Sequence, residues 1–234
     1  MNRARIAPIL RLGGAIAVLA LIAWRLGAGP FIDGLRLIDG WTLAVGIAVG
    51  TFTTACCAWR WQIVSRQLGL RLSLPDAIAG CYRSVFLNST LPGGVVGDVH
   101  RALDHGRASD NRSAAARTVA WERTSGQIVQ LCLTIAVLLA LPSAVHDAVP
   151  YLLAAVGLVA FLLVTVVRVH PRSGTRAARV VASARSDLRA LGGRRAWPVI
   201  VASSAAIVAG HLSAFLVAAR AAGVSASATT LVPV

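Results

Sequence analysis

The 234-residue chain contains no lysine, and only 14% of its residues are charged. A soluble domain carries roughly a quarter charged residues. Because 56% of the residues are hydrophobic and many lie in long runs, the composition excludes an ordinary soluble domain and indicates a membrane protein. The missing lysine is explained by a genome that favours arginine codons, so the informative feature is where the arginines fall.

Cysteine is also scarce, and its few copies do not form a recognisable metal or disulfide pattern. All of them lie in apolar stretches: Cys56, Cys57, Cys81 and Cys132. Their predicted role is small apolar packing. His100 and His105 likewise match no ligand motif with the nearby aspartates, so we predict neither a metal nor a cofactor.

Apolar stretches long enough to cross a bilayer core, which takes about 20 helical residues, occur along the whole chain. They cover approximately residues 8–26, 41–63, 117–141, 149–169 and 197–219. The sequence therefore predicts an all-α fold, a polytopic helical membrane protein with about five spanning helices. We expect residues 1–234 to form a single transmembrane domain.

The distribution of arginine predicts the orientation of these spans. Arginines gather at the N-terminus and in residues 60–71, 101–117 and 168–195, whereas residues 142–148 contain none. The positive-inside rule places arginine-rich segments in the cytoplasm. We therefore expect a multi-pass protein of a bacterial-type inner membrane with a cytoplasmic N-terminus. Residues 170–196 become a basic cytoplasmic connector suited to an anionic leaflet.

Residues 75–100 lie between two predicted cytoplasmic segments, so they must enter and leave the membrane on the same side. Two full crossings take about 40 residues, and this segment is much shorter. The predicted structure is a re-entrant helical hairpin: a helix over about Pro75 to Asn88, a break at Pro92-Gly93-Gly94, and a return from Gly97. A helix lying flat on the interface is the alternative.

Three local patterns occur in a characteristic order. Trp59-Arg60-Trp61 ends the second span, Asn88-Ser89-Thr90-Leu91-Pro92-Gly93-Gly94-Val95-Val96-Gly97-Asp98-Val99-His100-Arg101 follows, and Glu122-Arg123 comes early in the third span. Together they resemble the lysylphosphatidylglycerol synthase transmembrane-region family, also described as flippase-like domain proteins. The resemblance covers roughly Trp41 to the end. It implies an integral membrane protein that binds or translocates a phosphate-bearing, or aminoacylated, lipid.

Two departures from that family pattern are visible. Members that make aminoacylated phosphatidylglycerol carry a soluble transferase domain after the membrane region, and this sequence shows none. The pattern usually continues into a Pro-x-Ser-x-Gly-Gly-x-Gly-x-x-Glu segment, whereas this sequence ends at Leu231-Val232-Pro233-Val234. We expect either a fragment or a C-terminally truncated member.

The glycine-broken segment is the predicted lipid head-group site. Non-helical backbone at membrane depth must be buried in protein or line a wet cavity, and glycine amides at a helix start can bind an anion. An arginine one turn later can add a bidentate phosphate contact, and an intramembrane charge is a functional candidate. The predicted site residues are Arg83, Asn88, Pro92, Gly93, Gly94, Gly97, Asp98, Arg101, Glu122 and Arg123.

Each of these residues also has a plainer interpretation. The glycines can form only the hairpin turn, and Arg101 can act as a topology anchor. Asn88 and Asp98 can cap helices, while Asp98 can equally pair with Arg101. Glu122 can pair with Arg83 or with Arg101, and its polar helix face can serve helix packing alone.

Three functions fit the sequence. The first is a lipid-handling membrane protein, and the second is the membrane part of a head-group-modifying enzyme system. The third is a non-catalytic scaffold for envelope biogenesis. Because no catalytic triad order, P-loop or dinucleotide glycine pattern is present, we expect no enzyme. Expected partners are anionic membrane lipids and envelope or lipid-synthesis enzymes, without nucleic acid; oligomeric state is left open.

Overall fold

A computed structural model describes residues 20–21, 24–25, 27, 29–36, 39–91, 94–140, 149–168, 175–193, 196–227 and 231. The regular structure of these residues is helical throughout, without a strand among them. The helices are α1 (Gly29–Arg36), α2 (Gly40–Gln67), α3 (Leu74–Thr90), α4 (Val96–Ala108), α5 (Arg112–Ala140), α6 (Val149–Arg168), α7 (Arg176–Leu191) and α8 (Ala196–Ala221).

Helices α2, α5 and α8 are long and apolar enough to cross a membrane, and each packs against the other two. They lie where the sequence predicted the spans 41–63, 117–141 and 197–219. The predicted all-α, polytopic membrane fold is thereby confirmed.

The other two predicted spans have no such helix among the described residues. Helix α6 has 20 residues and coincides with the predicted span 149–169, and its described apolar part, Val149–Leu158, covers half of a crossing. The predicted span 8–26 lies outside the described residues except for 20–21 and 24–25. Both spans stay predictions.

Polar side chains fix where several helices begin. The Asp39 carboxylate accepts a hydrogen bond from the Thr42 amide at 2.7 Å at the start of α2. Ser73 caps α3 in the same way, and Thr175 caps α7. Such caps satisfy amides that the first helical turn leaves without partners.

Helices α3 and α4 form an antiparallel hairpin that packs on α2 through α3 and on α5 through α4. The antiparallel order is seen in three contacts that run backward along α3 and forward along α4. Asn88 contacts Gly97, Ser84 contacts Asp98, and Cys81 contacts Arg101. The two helices and the break between them occur where the sequence predicted them. The dip of this hairpin into the bilayer stays a prediction.

The close approach of α3 and α4 depends on Gly97. A Cβ atom at this position would lie 2.2 Å from the Ser84 carbonyl oxygen, so any larger residue would force the helices apart. No side chain of α4 itself caps this helix. Instead, the Asn88 side-chain oxygen accepts a hydrogen bond from the Gly97 amide at 2.8 Å.

Helix α7 lies in the segment predicted as a solvated cytoplasmic connector, and it packs against the bundle. Leu191 joins a buried cluster with Val64 of α2 and Ile200 of α8. Asp187 is buried and accepts hydrogen bonds from α5. The second half of this segment therefore packs on the bundle, and its place as a cytoplasmic connector stays a prediction.

Candidate functional site

Glu122, the only glutamate of the chain, is completely buried within α5. Its Oε1 atom accepts hydrogen bonds from Arg60 Nη2 at 2.6 Å and Arg60 Nε at 3.0 Å. Its Oε2 atom accepts one from Arg101 Nη2 at 2.8 Å. A buried carboxylate is costly unless it is paired and hydrogen-bonded, and here two arginines from two other helices meet that requirement.

Arg60 belongs to this site although the sequence reading counted it among the cytoplasmic arginines that set the topology. Its side chain is buried and also donates from Nη1 to Ser204 Oγ of α8 at 2.8 Å. Gly126 provides the necessary space, because an added Cβ would lie 2.8 Å from both terminal nitrogens of Arg60. The membrane side on which Arg60 lies stays a prediction, but its side chain serves this site; its place in the Trp59-Arg60-Trp61 pattern was the available signal.

Arg101 reaches Glu122 from α4 and is 2% exposed. Besides the Glu122 contact, its Nη1 donates to Cys81 Sγ at 3.2 Å. Its guanidinium stacks 4.5 Å from the ring centre of Trp61, a favourable cation–π contact. Of the two predicted partners for Glu122, the structure selects Arg101, while the exposed Arg83 pairs with Asp104 at 3.4 Å.

Asp98 ties α4 to both neighbouring helices. It accepts hydrogen bonds from Ser84 Oγ at 3.0 Å, from Arg123 Nη2 at 2.7 Å and from Arg123 Nε at 3.0 Å. It also lies 3.3 Å from Arg101 Nη2, as the predicted i, i+3 pair requires. The alternative that Asp98 merely caps its helix was wrong, because the N-cap residue is Val95.

Two cysteines contact the charged groups instead of serving as apolar packing alone. Cys57 Sγ donates to Glu122 Oε1 at 3.4 Å, and it lies 4.0 Å from Cys81 Sγ. Both cysteines are free thiols. Their predicted role as apolar filler was incomplete, since weakly polar sulfur atoms solvate the buried ions here.

The charges of this cluster do not balance. Arg60, Arg101 and Arg123 contribute three positive charges, whereas Glu122 and Asp98 contribute two negative charges. Among the described residues that touch one another here, one positive charge is therefore left over. Because 43% of the Arg123 side chain is exposed, this excess positive charge can be met by an anion from outside the cluster.

The cluster opens into a groove of about 500 Å³ between α5 and α8. Arg60 and Arg123 are its charged lining residues, Gln127 and Gln130 are polar lining residues, and Leu212 is one of its apolar residues. A smaller cavity of about 220 Å³ adjoins it and extends between α2 and α3. The two share the lining residues Arg60, Arg123, Ile207 and His211.

The glycine-rich segment contributes less directly than predicted. Gly94 has a φ of +63°, the left-handed conformation that favours glycine, and its position is exposed. The Gly97 amide is already bonded to Asn88, so it is not free for an anion. Pro92 and Gly93 lie outside the described residues. In the described part of the chain, no group of three acidic, cysteine or histidine side chains is placed to hold a metal.

The predicted residues that meet are thus Asp98, Arg101, Glu122 and Arg123, with Asn88 and Gly97 fixing the hairpin beside them. Comparison with known proteins agrees with the patterns that carried the sequence resemblance. The chain matches the family model described as lysylphosphatidylglycerol synthase TM region over residues 9–234. Neither the curated proteins nor the solved structures gave a match to this chain. Because the family match spans essentially the whole sequence, the protein belongs to the lysylphosphatidylglycerol synthase transmembrane-region family.

Proposed function

We propose that this integral membrane protein binds the phosphate group of an anionic lipid in the groove between α5 and α8 and translocates that lipid. The observation that carries the proposal is the unbalanced arginine charge of the cluster whose Arg60 and Arg123 line this groove. A lipid phosphodiester carries one negative charge, which matches the one positive charge in excess. Its oxygens are acceptors only, and arginine supplies donors only.

Arg123 is the residue best placed to meet the ligand. Its Nε and Nη2 atoms face Asp98, while 43% of its side chain stays exposed. Arg101, by contrast, is buried and bonded on several sides, so its role in the proposal is to position Glu122 and Asp98. The phosphate contact thus moves from Arg101, where the sequence suggested it, to Arg123.

The rest of the groove suits the remainder of a lipid. Gln127 and Gln130 can hydrogen-bond a polar head group. The α8 side of the groove is lined by the apolar residues Ile207, Val208 and Leu212. An acyl chain that leaves the bilayer hydrocarbon for this surface stays in an apolar environment. This amphipathic lining favours a lipid over a soluble anion for this groove.

The proposal assigns no catalytic step to the cluster. The two carboxylates, Asp98 and Glu122, are both engaged in ion pairs with arginines, so neither is free to act on a substrate. We place the protein in a bacterial-type inner membrane with a cytoplasmic N-terminus, on the arginine distribution of the sequence. Its proposed partners are anionic lipids and, through them, lipid-synthesis enzymes.

The test compares Arg123→Gln with the matched control Arg66→Gln, which removes an exposed arginine at the end of α2 that lines none of these cavities. Native mass spectrometry would count phosphatidylglycerol and phosphate-free diacylglycerol bound to each purified protein. We expect Arg123→Gln to weaken phosphatidylglycerol binding roughly tenfold, because it removes a charge-assisted hydrogen bond. Diacylglycerol retention should stay unchanged.

Translocation needs its own measurement. Proteoliposomes with a fluorescent phosphatidylglycerol would report the fraction of head groups accessible to an external quencher over time. We expect the wild-type protein and Arg66→Gln to equilibrate the two leaflets faster than Arg123→Gln does. Equal phosphatidylglycerol binding by both variants would contradict the site, and equal rates with protein-free vesicles would contradict translocation.

A further inference from the structure

A second cavity, of about 250 Å³, lies on the other side of Arg101 from the groove. Helices α2, α3 and α4 and the turn between α2 and α3 enclose it. The cavity lining includes Trp61, Arg71, Asp76, Arg83, Arg101 and His105. This cavity shares one lining residue, Arg101, with the cavity of about 220 Å³ that adjoins the groove. The Arg101 side chain therefore lies between the two cavities.

Two residues that line this cavity each carry a buried nitrogen atom without a hydrogen-bond partner among the described residues. These atoms are Arg101 Nε and His105 Nε2, and both residues are at least nine-tenths buried. Buried polar side-chain atoms are paired in the large majority of cases. Since an arginine N–H can only donate, the missing partner of Arg101 must be an acceptor.

The charged residues around the cavity favour an anion as that acceptor. Asp104 is already engaged, because Arg83, Arg107 and His100 all contact it. Asp76 is hydrogen-bonded to Ser73. Arg71 lines the cavity, is exposed at its solvent end, and forms no ion pair with a described residue.

His105 completes the set of donors. Its ring meets Trp61 edge-on, with ring centres 5.5 Å apart, so packing fixes its orientation. Burial lowers the pKa of His105, which keeps the imidazole neutral near pH 7. A neutral imidazole with Nε2 protonated donates one hydrogen bond without adding charge.

We propose that this cavity is a second, separate binding site for a small oxyanion. Inorganic phosphate or the phosphate group of a lipid would accept hydrogen bonds from Arg101 Nε and His105 Nε2. Arg71 would close the site on its solvent side. Its anion would be bound independently of a lipid in the groove, because Arg101 holds Glu122 and Asp98 through Nη2 and keeps Nε for this cavity.

The experiment uses the full chain in detergent with the imidazole nitrogens labelled with nitrogen-15. Inorganic phosphate is titrated in one arm, and phosphatidylglycerol bicelles are titrated in a phosphate-free second arm. We expect the Nε2 signal of His105, assigned by its loss in His105→Gln, to shift on saturation in one of the arms. The responding arm identifies the source of the oxyanion.

The matched variants are Arg71→Gln, at the cavity, and Arg66→Gln, one exposed arginine outside it. Arg71→Gln should weaken the response about fivefold, as loss of an exposed ionic contact does, whereas Arg66→Gln should titrate like the wild type. Arg123→Gln should also keep the response, so a failure of the groove proposal would be distinguished from a failure here. An unshifted His105 signal in both arms, or equal titrations of Arg71→Gln and the wild type, would overturn the second site.

Discussion

Helix α5 takes part in two buried ionic contacts that differ in their charge balance. Toward α2 and α4, Glu122 receives two arginines, and with Asp98 and Arg123 the cluster keeps one positive charge in excess. Toward α7, Asp187 accepts from Arg117 Nε at 2.8 Å and from Trp121 Nε1 at 2.9 Å. One anion there meets one cation and one neutral donor.

This difference in charge balance distinguishes a contact that only joins two helices, at Asp187, from a candidate binding site, at Glu122. The charges of the Asp187 contact balance, and the contact joins α7 to α5 without a further charged group. The Glu122 cluster keeps one positive charge in excess, and its Arg101 Nε has no hydrogen-bond partner among the described residues, so an anion can still add to it. Both pair carboxylates with arginines, and the balance of charge distinguishes them.

The largest expected effect comes from Glu122→Gln. This change keeps the shape of the side chain but leaves two buried arginines without their common counter-ion. Breaking a buried ion pair on one side costs about 3–5 kcal/mol. We expect a loss of that size in the free energy of unfolding in detergent, with Thr124→Val, an exposed change on the same helix, as control. A loss below about 1 kcal/mol would contradict the view that Glu122 neutralises two buried arginines, in contrast to the single arginine at Asp187.

Asp187→Asn should have a smaller effect. The Arg117 side chain is one-third exposed, so water can solvate its charge once the carboxylate is gone. We expect a loss of about 1.5–3 kcal/mol, which is typical of hydrogen bonds to a charged group. Chemical unfolding in the same detergent measures it, and phosphatidylglycerol binding should stay at the wild-type level. Reduced lipid binding would show that the two contacts are coupled.

Gly126→Ala probes the space that Arg60 occupies. The new methyl group would press on a guanidinium held by Glu122 and Ser204, and such overpacking costs about 1 kcal/mol. Gly157→Ala in α6 is the matched control, since nothing lies within 4 Å of its added Cβ. We expect thermal unfolding to fall for the first variant only. Equal behaviour of the two would mean that Arg60 is not fixed by its neighbours.

The smallest expected effect concerns acid. Because burial lowers the pKa of His105 in the folded protein, the unfolded chain takes up the proton at a higher pH. Stability is therefore fully present above about pH 6.5 and falls as the pH drops below it. His105→Gln should flatten this part of a thermal stability profile, whereas His100→Gln should retain it. A profile unchanged by His105→Gln would contradict the assignment.

Several parts of the fold and site were predictable because the signals are local. Length and hydropathy identified α2, α5 and α8, and Pro92-Gly93-Gly94 marked the break between α3 and α4. The i, i+3 spacing predicted the contact of Asp98 with Arg101. Glu122 stood out because a carboxylate inside an apolar helix requires a partner.

Other parts were not predictable, because they depend on which faces of distant helices meet. Arg60 lies 62 positions before Glu122, and α2 is apolar on most sides, so its sequence does not mark the face that carries Arg60. The pairing of Arg123 with Asp98 needs the hairpin to dock on α5. The role of Asp187 depends on the packing of α7 against α5, which the sequence of the basic connector does not mark.

The sequence by itself determined that the chain is a helical membrane protein of this family, since hydropathy and local motifs depend on neighbours along the chain. Tertiary structure alone decided which arginines share Glu122, which one faces the groove, and that a charge is left over. These properties depend on distances between helices, and electrostatic energy is set by such distances and by burial.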